Sequence, residues 1–542
     1  MYERIQKISK YLNKEQPNSS SHIKPELLKK FNIFKKWLID NGAIFAKNID
    51  FPYAYGPFNL IGCKSISDIN ENESILLIPK KLMIISKELH YLDEFVDSIE
   101  EELYEDDDLP TLYLTLYLYL ENKNKNSFFR PYLDLIFSNY NYLNDFTEEN
   151  MQYFDDDEKI VESLKNTIND ISLLYNTIIN SNDEKFDEMT KEEFFFCYSQ
   201  VVSRQFYIDE ECSSLIPLAD LLNHRNIDIH YEIYDSDNYI FKYSTKYSLE
   251  IDVNIDIRPT FIKEYPIIKN KINNLEVYNV NDYKKNKKIV KLEEKDYFSI
   301  STSKGEVIKK GNQVFNNYSD KGNKYLLKNY GFCLIDNEYE STPIIIYIET
   351  GTDIYLHKYL EIIFGKRYKI KSDSFKKFLK INISFNDICF YLIKYYRFNY
   401  YYRDLNDIKQ YINYKFDINL EIKFISLALE CLKDKIKIMN KKNNLNDDLT
   451  ELENELYYKE NKNAFKINAF IYRVTQKINI MNQIGLVECI LNIMKKYKNN
   501  IISYSNLMDY ENEFINLSQF DTDENSKIKI FNFIRKSKNI VG

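Results

Sequence analysis

The chain has 542 residues, 44% of them hydrophobic counting its 47 tyrosines, and only 11 glycines, room for several domains of ~150 residues each around a sizeable core. Its 73 basic and 82 acidic residues leave a formal charge of −9, which argues against the broad basic face of a nucleic-acid binder. No apolar run approaches the ~18 residues of a membrane-spanning helix, and the polar start Met1-Tyr2-Glu3-Arg4 lacks the apolar stretch of a secretion signal. The seven cysteines (Cys63, Cys197, Cys212, Cys333, Cys389, Cys431 and Cys489) form no CxxC pair, so neither a zinc cluster nor a disulfide framework is expected and no metal is assigned. A reducing intracellular setting, cytoplasmic or nuclear, fits this usage, with no membrane or direct nucleic-acid partner.

Residues 1–26 are polar and read as a loose arm. Phe31, Phe34, Trp37 and Leu38 then predict an amphipathic helix, stopped at Asn41-Gly42. A strand is expected at Ser74–Ile78, just before Pro79. From about 88 to 200 the pattern turns helical, through Leu112–Leu120, Tyr132–Phe137 and Leu164–Ile179. The acidic run Glu100–Asp108 and the stretch Asn180–Glu188 read as solvated loops. Strand signals return between Ser213 and Asn337, interrupted at about 269–295 by a Lys/Asn/Glu-rich, low-complexity loop. Its Lys284-Lys285-Asn286-Lys287-Lys288 run is read as part of a disordered insertion, not as a nuclear signal. From about 345 to 542 the periodicity is helical, and Gln476, Asn479 and Asn482 interleave with Ile478 and Ile480 on what is either a surface helix or a docking face. Helix, scattered strands, then helix predicts an α+β fold with an appended all-α region.

Unusual residues cluster in four segments: Ser203-Arg204-Gln205-Phe206, then Pro217-Leu218-Ala219-Asp220-Leu221-Leu222-Asn223-His224. Next come Gly311-Asn312-Gln313-Val314-Phe315-Asn316-Asn317-Tyr318 and Asn323 through Tyr330-Gly331-Phe332. Each alone has a bland explanation as a turn, a cap or a core residue. Together, in this order, they resemble the C-terminal half of a SET domain of the Rubisco large-subunit methyltransferase type. The N-terminal half agrees, with Ile75 to Leu82 and with Ser127-Phe128-Phe129-Arg130-Pro131-Tyr132, which is similar to the signature of that subfamily's helical insert. The resemblance implies a SET domain over 27–340, built of small β-sheets with a pseudo-knot and carrying the insert at about 88–200. A helical substrate-binding-like region over 345–542 follows.

What the resemblance further implies is a protein-lysine N-methyltransferase using S-adenosyl-L-methionine. Tyr318 aligns with the catalytic tyrosine, whose hydroxyl orients the acceptor amine for in-line transfer. Phe58, Asn59, Arg204, Asp220, Asn223, His224, Tyr330, Gly331 and Phe332 align with the cofactor site. Phe206, Ala219, Tyr318 and Tyr330 align with the substrate pocket, where desolvation beside a sulfonium would strip the proton from a lysine that titrates near ~10.4 when free. Asn223 and His224 belong to the knot-like crossing of two chain segments, an exception to the rule against threading. A protein partner, non-histone, is implied on the C-terminal helical region. One branch of the subfamily methylates a histidine of actin; it carries Asn and Trp where this chain has Phe206 and Ala219, and lysine is preferred here. Pro57 and Asn59 stand where relatives carry the glycines of a Gly-x-Gly turn, and Ser319 where Gly follows the tyrosine. Asn tolerates the left-handed conformation such a turn needs, whereas Pro removes a donor, so a SET-fold binding scaffold is the alternative from another class.

Overall fold

The computed structural model describes residues 2–498 apart from 100–107, 235–240, 245–296, 349–353, 371–376, 385–389, 402–417 and breaks of one to three residues elsewhere. The insertion at 269–295, most of the acidic run at 100–108 and the chain beyond 498 lie outside the described residues. No described helix is long and apolar enough to cross a membrane.

The helix expected near residue 31 spans Pro25–Asp40, with Pro at its first turn and Phe31, Phe34 and Leu38 buried. It stops because the Asn41 backbone and side-chain N–H groups both donate to the Trp37 carbonyl, and Gly42 then turns the chain at φ +85°. Strand β1 (Ile44–Phe45) follows, and β2 (Ile49–Tyr55) and β3 (Leu60–Ser65) form a hairpin over the turn 56–59. Strand β4 (Ser74–Pro79) is the expected apolar run, and Ile75, Leu76, Leu77 and Ile78 are all buried. It lies inside a sheet ordered β1-β4-β11-β9-β10, where β9 is Ile229–Tyr234, β10 is Phe241–Ser244 and β11 is Tyr297–Thr302. Burial on both faces is why its sequence is continuously apolar.

The helical stretch after 88 contains Leu109–Lys123, capped by Asp108 and buried nearly all round. It packs between the helix Lys191–Val202 and β7 (Cys212–Leu215), and an all-round apolar helix is what such a position selects. Thr190 and Glu193 form a capping box on Lys191–Val202. Asn180–Glu188, expected as a solvated loop, contributes Phe186 to the core, its ring 4.5 Å from that of Phe95.

Two expectations are corrected. Residues 1–26 are no loose arm: Tyr2–Leu12 is a helix whose Ile5, Ile8 and Leu12 face the main core. Arg4 donates to Glu453 at 2.9 and 3.1 Å and to Thr450 at 3.0 Å. Three apolar residues at i, i+3 and i+7 were enough for one docked face. The C-terminal region is also not all helix. It opens with a sheet ordered β13-β15-β14, from β13 (Ser341–Ile348), β14 (Tyr368–Ile370) and β15 (Lys377–Ser384). Leu379, Ile381 and Ile383 alternate into its core, a period-two signal that an Ile-rich sequence hides.

Two hydrophobic cores result, and the boundary does not fall at 345. The larger takes in residues between Ile8 and Ile335 together with Leu445–Ile478, while the smaller joins 344–439 to 480–491. One helix, Ala464–Lys498, serves both. Gln476, Asn479 and Asn482 therefore face neither solvent nor a partner; all are buried. Gln476 donates to Glu340 at 2.8 Å and Asn479 to Ile383 O at 2.6 Å.

Glu340 also accepts from the Ser341 and Asn323 N–H groups, yet burial pushes its carboxyl up to about 7. A carboxyl raised in the folded state holds its proton where the unfolded chain has lost it. Its stabilising contribution is present below the ordinary value of 4.5 and disappears as pH rises to about 7. The stability of wild type relative to Glu340→Gln should therefore fall across that window, by up to about 3 kcal/mol, and level off above it. Urea unfolding at a series of pH values checks this; a difference that does not change with pH removes Glu340 as the titrating group.

Candidate active site

The site is assembled by strand pairing. Strand β12 (Gln313–Asn316) runs antiparallel to β3 and parallel to β8 (Asn223–His224), in a sheet ordered β2-β3-β12-β8. Phe315 sits opposite Asn223 and Asn316 opposite His224, so two segments about ninety residues apart meet just before Tyr318. The Asn223 amide donates to Ile61 O at 3.1 Å, tying β8 to β3. Gly62 allows the approach: a Cβ there would lie 2.7 Å from Gln313 Nε2 and 2.8 Å from Asn223 Nδ2.

Tyr318 is fixed at both ends. Its N–H donates to His224 Nδ1 at 3.0 Å and its hydroxyl to Leu222 O at 2.9 Å. Its ring stacks on His224 at 4.9 Å and on Tyr330 at 4.8 Å, with Phe332 edge-on at 6.4 Å. Burial, reinforced by Asp220, pushes the phenol above its ordinary value despite Arg204, so the hydroxyl stays protonated and serves as a donor, not as a base. Burial lowers His224 to about 4. Because Nδ1 accepts, the neutral ring carries its proton on Nε2, and that buried atom has no hydrogen-bond partner among the described residues.

Beside Tyr318 the Asp220 carboxylate accepts from Tyr132 Oη at 2.7 Å and from Arg204 Nη1 at 3.1 Å. Gln200 Oε1 holds Arg204 Nε at 3.2 Å. Burial raises the Asp220 carboxyl, opposed by the Arg204 guanidinium and the Tyr132 hydroxyl. A cavity of about 740 Å³ opens here, lined by Arg204, Phe206, Asp220, Asn317, Tyr318 and Tyr330 among others. The ring of Phe206 meets Phe298 edge-on at 5.0 Å.

The structure thus brings Arg204, Phe206, Asp220, Tyr318 and Tyr330 to one cavity, and His224 and Phe332 to the ring cluster around Tyr318. Asn223 joins them through β8, and Gly331 caps the helix Asn323–Tyr330 at φ +75°. Ala219 is fully buried and does not line the cavity. Phe58 packs on the main core and Asn59 lies in the β2–β3 turn at φ +52°; no described contact joins either to the ring cluster. Sequence reasoning missed Tyr132 as a partner of Asp220, although its motif was visible, and Leu222, which contributes only a carbonyl and so leaves no signal. Two non-glycine residues flank the chemistry at positive φ, Leu218 at +73° before Asp220 and Ser319 at +78° after Tyr318. Such strain persists where surrounding packing over-determines it, commonly at functional sites.

No protein-family model matches the chain. Among curated proteins, the actin-histidine N-methyltransferase of Gallus gallus is 28% identical over 242 residues, 42% of this chain and 38% of that protein. The Homo sapiens protein of the same name is 27% identical over 207 residues, 35% of this chain and 33% of its own length. The chain matches between a third and two-fifths of the length of these relatives. Among solved structures, the SET domain of LSMT bound to lysine and AdoHcy superposes with a TM-score of 0.56 at 17% identity, over 92% of this chain and 100% of that one. Rubisco LSMT bound to sinefungin and monomethyllysine gives 0.55 at 17%, over 91% and 99%. The chain has the α+β SET-domain fold that its motifs implied.

Gly331 carries the sharpest local constraint, since a Cβ would lie 2.6 Å from Tyr142 Cβ. Gly331→Ala is expected to cost about 2–5 kcal/mol, through positive φ and overpacking together. Gly305→Ala, also at positive φ but with no atom within 4 Å of the new Cβ, should cost about 1–2 kcal/mol, from the backbone conformation alone. Equal losses in denaturant midpoint for the two variants would show that Tyr142 yields.

Proposed function

We propose that this chain is an S-adenosylmethionine-dependent N-methyltransferase acting on a side-chain nitrogen of a protein, with lysine as the acceptor. The observation that carries the reading is Tyr318: a neutral phenol whose proton goes to the Leu222 carbonyl, at the wall of an aromatic cavity, backed by Asn223-His224. With the hydroxyl proton committed there, the oxygen's lone pairs are left to accept from an acceptor N–H and aim the nitrogen's own lone pair. Phe206, Tyr330 and the Tyr318 ring exclude water, which favours the neutral amine.

The residues present fit the cofactor. The β2–β3 turn adopts left-handed conformation at Gly56 and Asn59, so Asn59 substitutes for a glycine, and among the described residues the buried Nε2–H of His224 has no partner. The cofactor would be held by this turn, by β8 at Asn223-His224 and by Phe332, with Arg204 and Asp220 alongside; it supplies an electrophilic methyl group. Asn223 serves through its strand, because its amide is committed to Ile61 O. We further propose that the protein partner docks on the C-terminal region, where Tyr347 stands exposed next to Phe378.

Histidine as acceptor is the second reading, favoured by the names of the curated relatives. The apolar Phe206 lines the cavity at the position where the histidine-methylating branch carries an amide, which supports lysine. An array of lysine and histidine acceptor peptides incubated with labelled cofactor separates the two; label confined to histidine overturns the lysine assignment. Calorimetric titration with S-adenosylmethionine tests the class, and no heat at millimolar cofactor makes the chain a scaffold.

Tyr318→Phe should lower turnover by ~10²-fold or more while cofactor affinity changes little, since the aromatic wall remains and orientation is lost. Wild-type turnover in that variant, on a verified acceptor, would remove Tyr318 from the chemistry.

A further inference from the structure

The segment between the N-terminal helix and the helix Pro25–Asp40 touches all three chain stretches that build the site. The Asn18 backbone N–H donates to Ala54 O at 2.7 Å, and its side-chain amide donates to Gly56 O at 2.8 Å and to Asn59 Oδ1 at 2.9 Å. Glu15 O accepts from the Gln313 N–H at 2.8 Å, at the start of the strand that leads into Tyr318. The Glu15 carboxylate pairs with Arg225, the residue after His224, and with Asn312. Gln16 reaches Asn312 Oδ1 at 2.6 Å. Leu12 O lies 3.1 Å from where a Cβ on Gly56 would stand, so the segment is seated closely on the turn.

From this we infer that residues 12–18 form a positioning strap for the cofactor turn, with Asn18 as the residue that holds Asn59 in its left-handed conformation. The inference rests on the proposed cofactor function. Its physical reason is the missing glycine. A Gly at 59 would adopt φ +52° without assistance, whereas Asn occupies that region at a cost. The Asn18 amide offsets that cost by bonding the Asn59 side chain and the Gly56 carbonyl together, clamping both ends of a turn that Pro57 deprives of one backbone donor. Binding groups held by a rigid supporting layer keep their geometry, and loosened ones lose affinity before they lose fold. Asn18 touches no reacting group and acts through Asn59.

The test uses the full chain and S-adenosylmethionine itself, titrated calorimetrically into wild type, Asn18→Ala, Asn18→Asp, Asn59→Gly and the Asn18→Ala/Asn59→Gly pair, with the melting temperature of each free protein alongside. Asn18→Asp keeps the shape and removes the donor, so both Asn18 variants should bind about tenfold more weakly, as expected when two side-chain hydrogen bonds that hold the turn are lost. Their free melting temperatures should stay near that of wild type. In the Asn59→Gly background, Asn18→Ala should cost markedly less affinity, because glycine needs no clamp. A purely structural role would lower the melting temperature and leave affinity and this coupling unchanged, and that result overturns the strap. If wild type binds and both Asn18 variants bind within twofold of it, the strap fails while the cofactor reading stands. If wild type binds no cofactor, both fail.

Discussion

Everything at the site depends on one short parallel pairing, that of Asn223-His224 with Phe315-Asn316. Two residue pairs of ladder are little by themselves. They hold because β12 is pinned on its other edge by β3, and because the Asn223 amide crosses to Ile61 O. This pairing sets the depth at which Tyr318 emerges and turns His224 Nδ1 toward its N–H. Parallel pairs are slightly weaker per residue than antiparallel ones, so the side-chain ties and the close approach at Gly62 matter more here than in a long sheet.

Around that pairing, burial is used to hold protonation states rather than to create a charged catalyst. Tyr318 keeps its proton and His224 stays neutral. The ion pair at the cavity, Arg204 with Asp220, is capped by Tyr132 and Gln200. A buried pair is tolerated when its remaining hydrogen-bonding capacity is satisfied, and Tyr132 supplies this from the helical insert. The helical stretch at 88–200 is therefore wired to the site through Tyr132 and Gln200, and its placement in the fold becomes a matter of chemistry as well as of packing.

Much of this was legible in the chain. The amphipathic helix at Phe31 to Leu38, the β4 strand and the spaced motifs that carry Arg204, Asp220, Asn223, His224 and Tyr318 stood out, because apolar periodicity and rare residue combinations are local signals. What was hidden was non-local. The Tyr2–Leu12 helix shows three apolar residues in eleven and is stabilised by Arg4 reaching Glu453 across the fold. The strands Ser341–Ile348 and Lys377–Ser384 are rich in Ile, which this chain uses throughout, so their signal does not stand out from the helical stretches around them. Leu222 enters through a carbonyl, and the positive φ of Leu218 and Ser319 is imposed by surrounding packing. Residue type cannot announce such features.

The same non-local logic explains why the last helix is so long. Ala464–Lys498 packs its first half on the larger core and its second half on the smaller, and the crossover at Gln476 to Asn482 is polar and buried. At that crossover Asn323, the first residue of the helix that ends in Tyr330 and Gly331, donates its amide to Thr475 Oγ1 at 3.1 Å and to Leu334 O at 2.8 Å. Its backbone N–H goes to Glu340, which in turn takes the Gln476 amide. A fully connected buried polar network specifies one arrangement more sharply than apolar contact does, because any slip strands a donor or acceptor. On the same helix Arg473, just before the crossover, and Lys477, within it, share the buried Asp448 carboxylate, fixing the rotation about its axis. The rings that stack on Tyr318 are thus oriented from behind by the helix that also carries the C-terminal sheet.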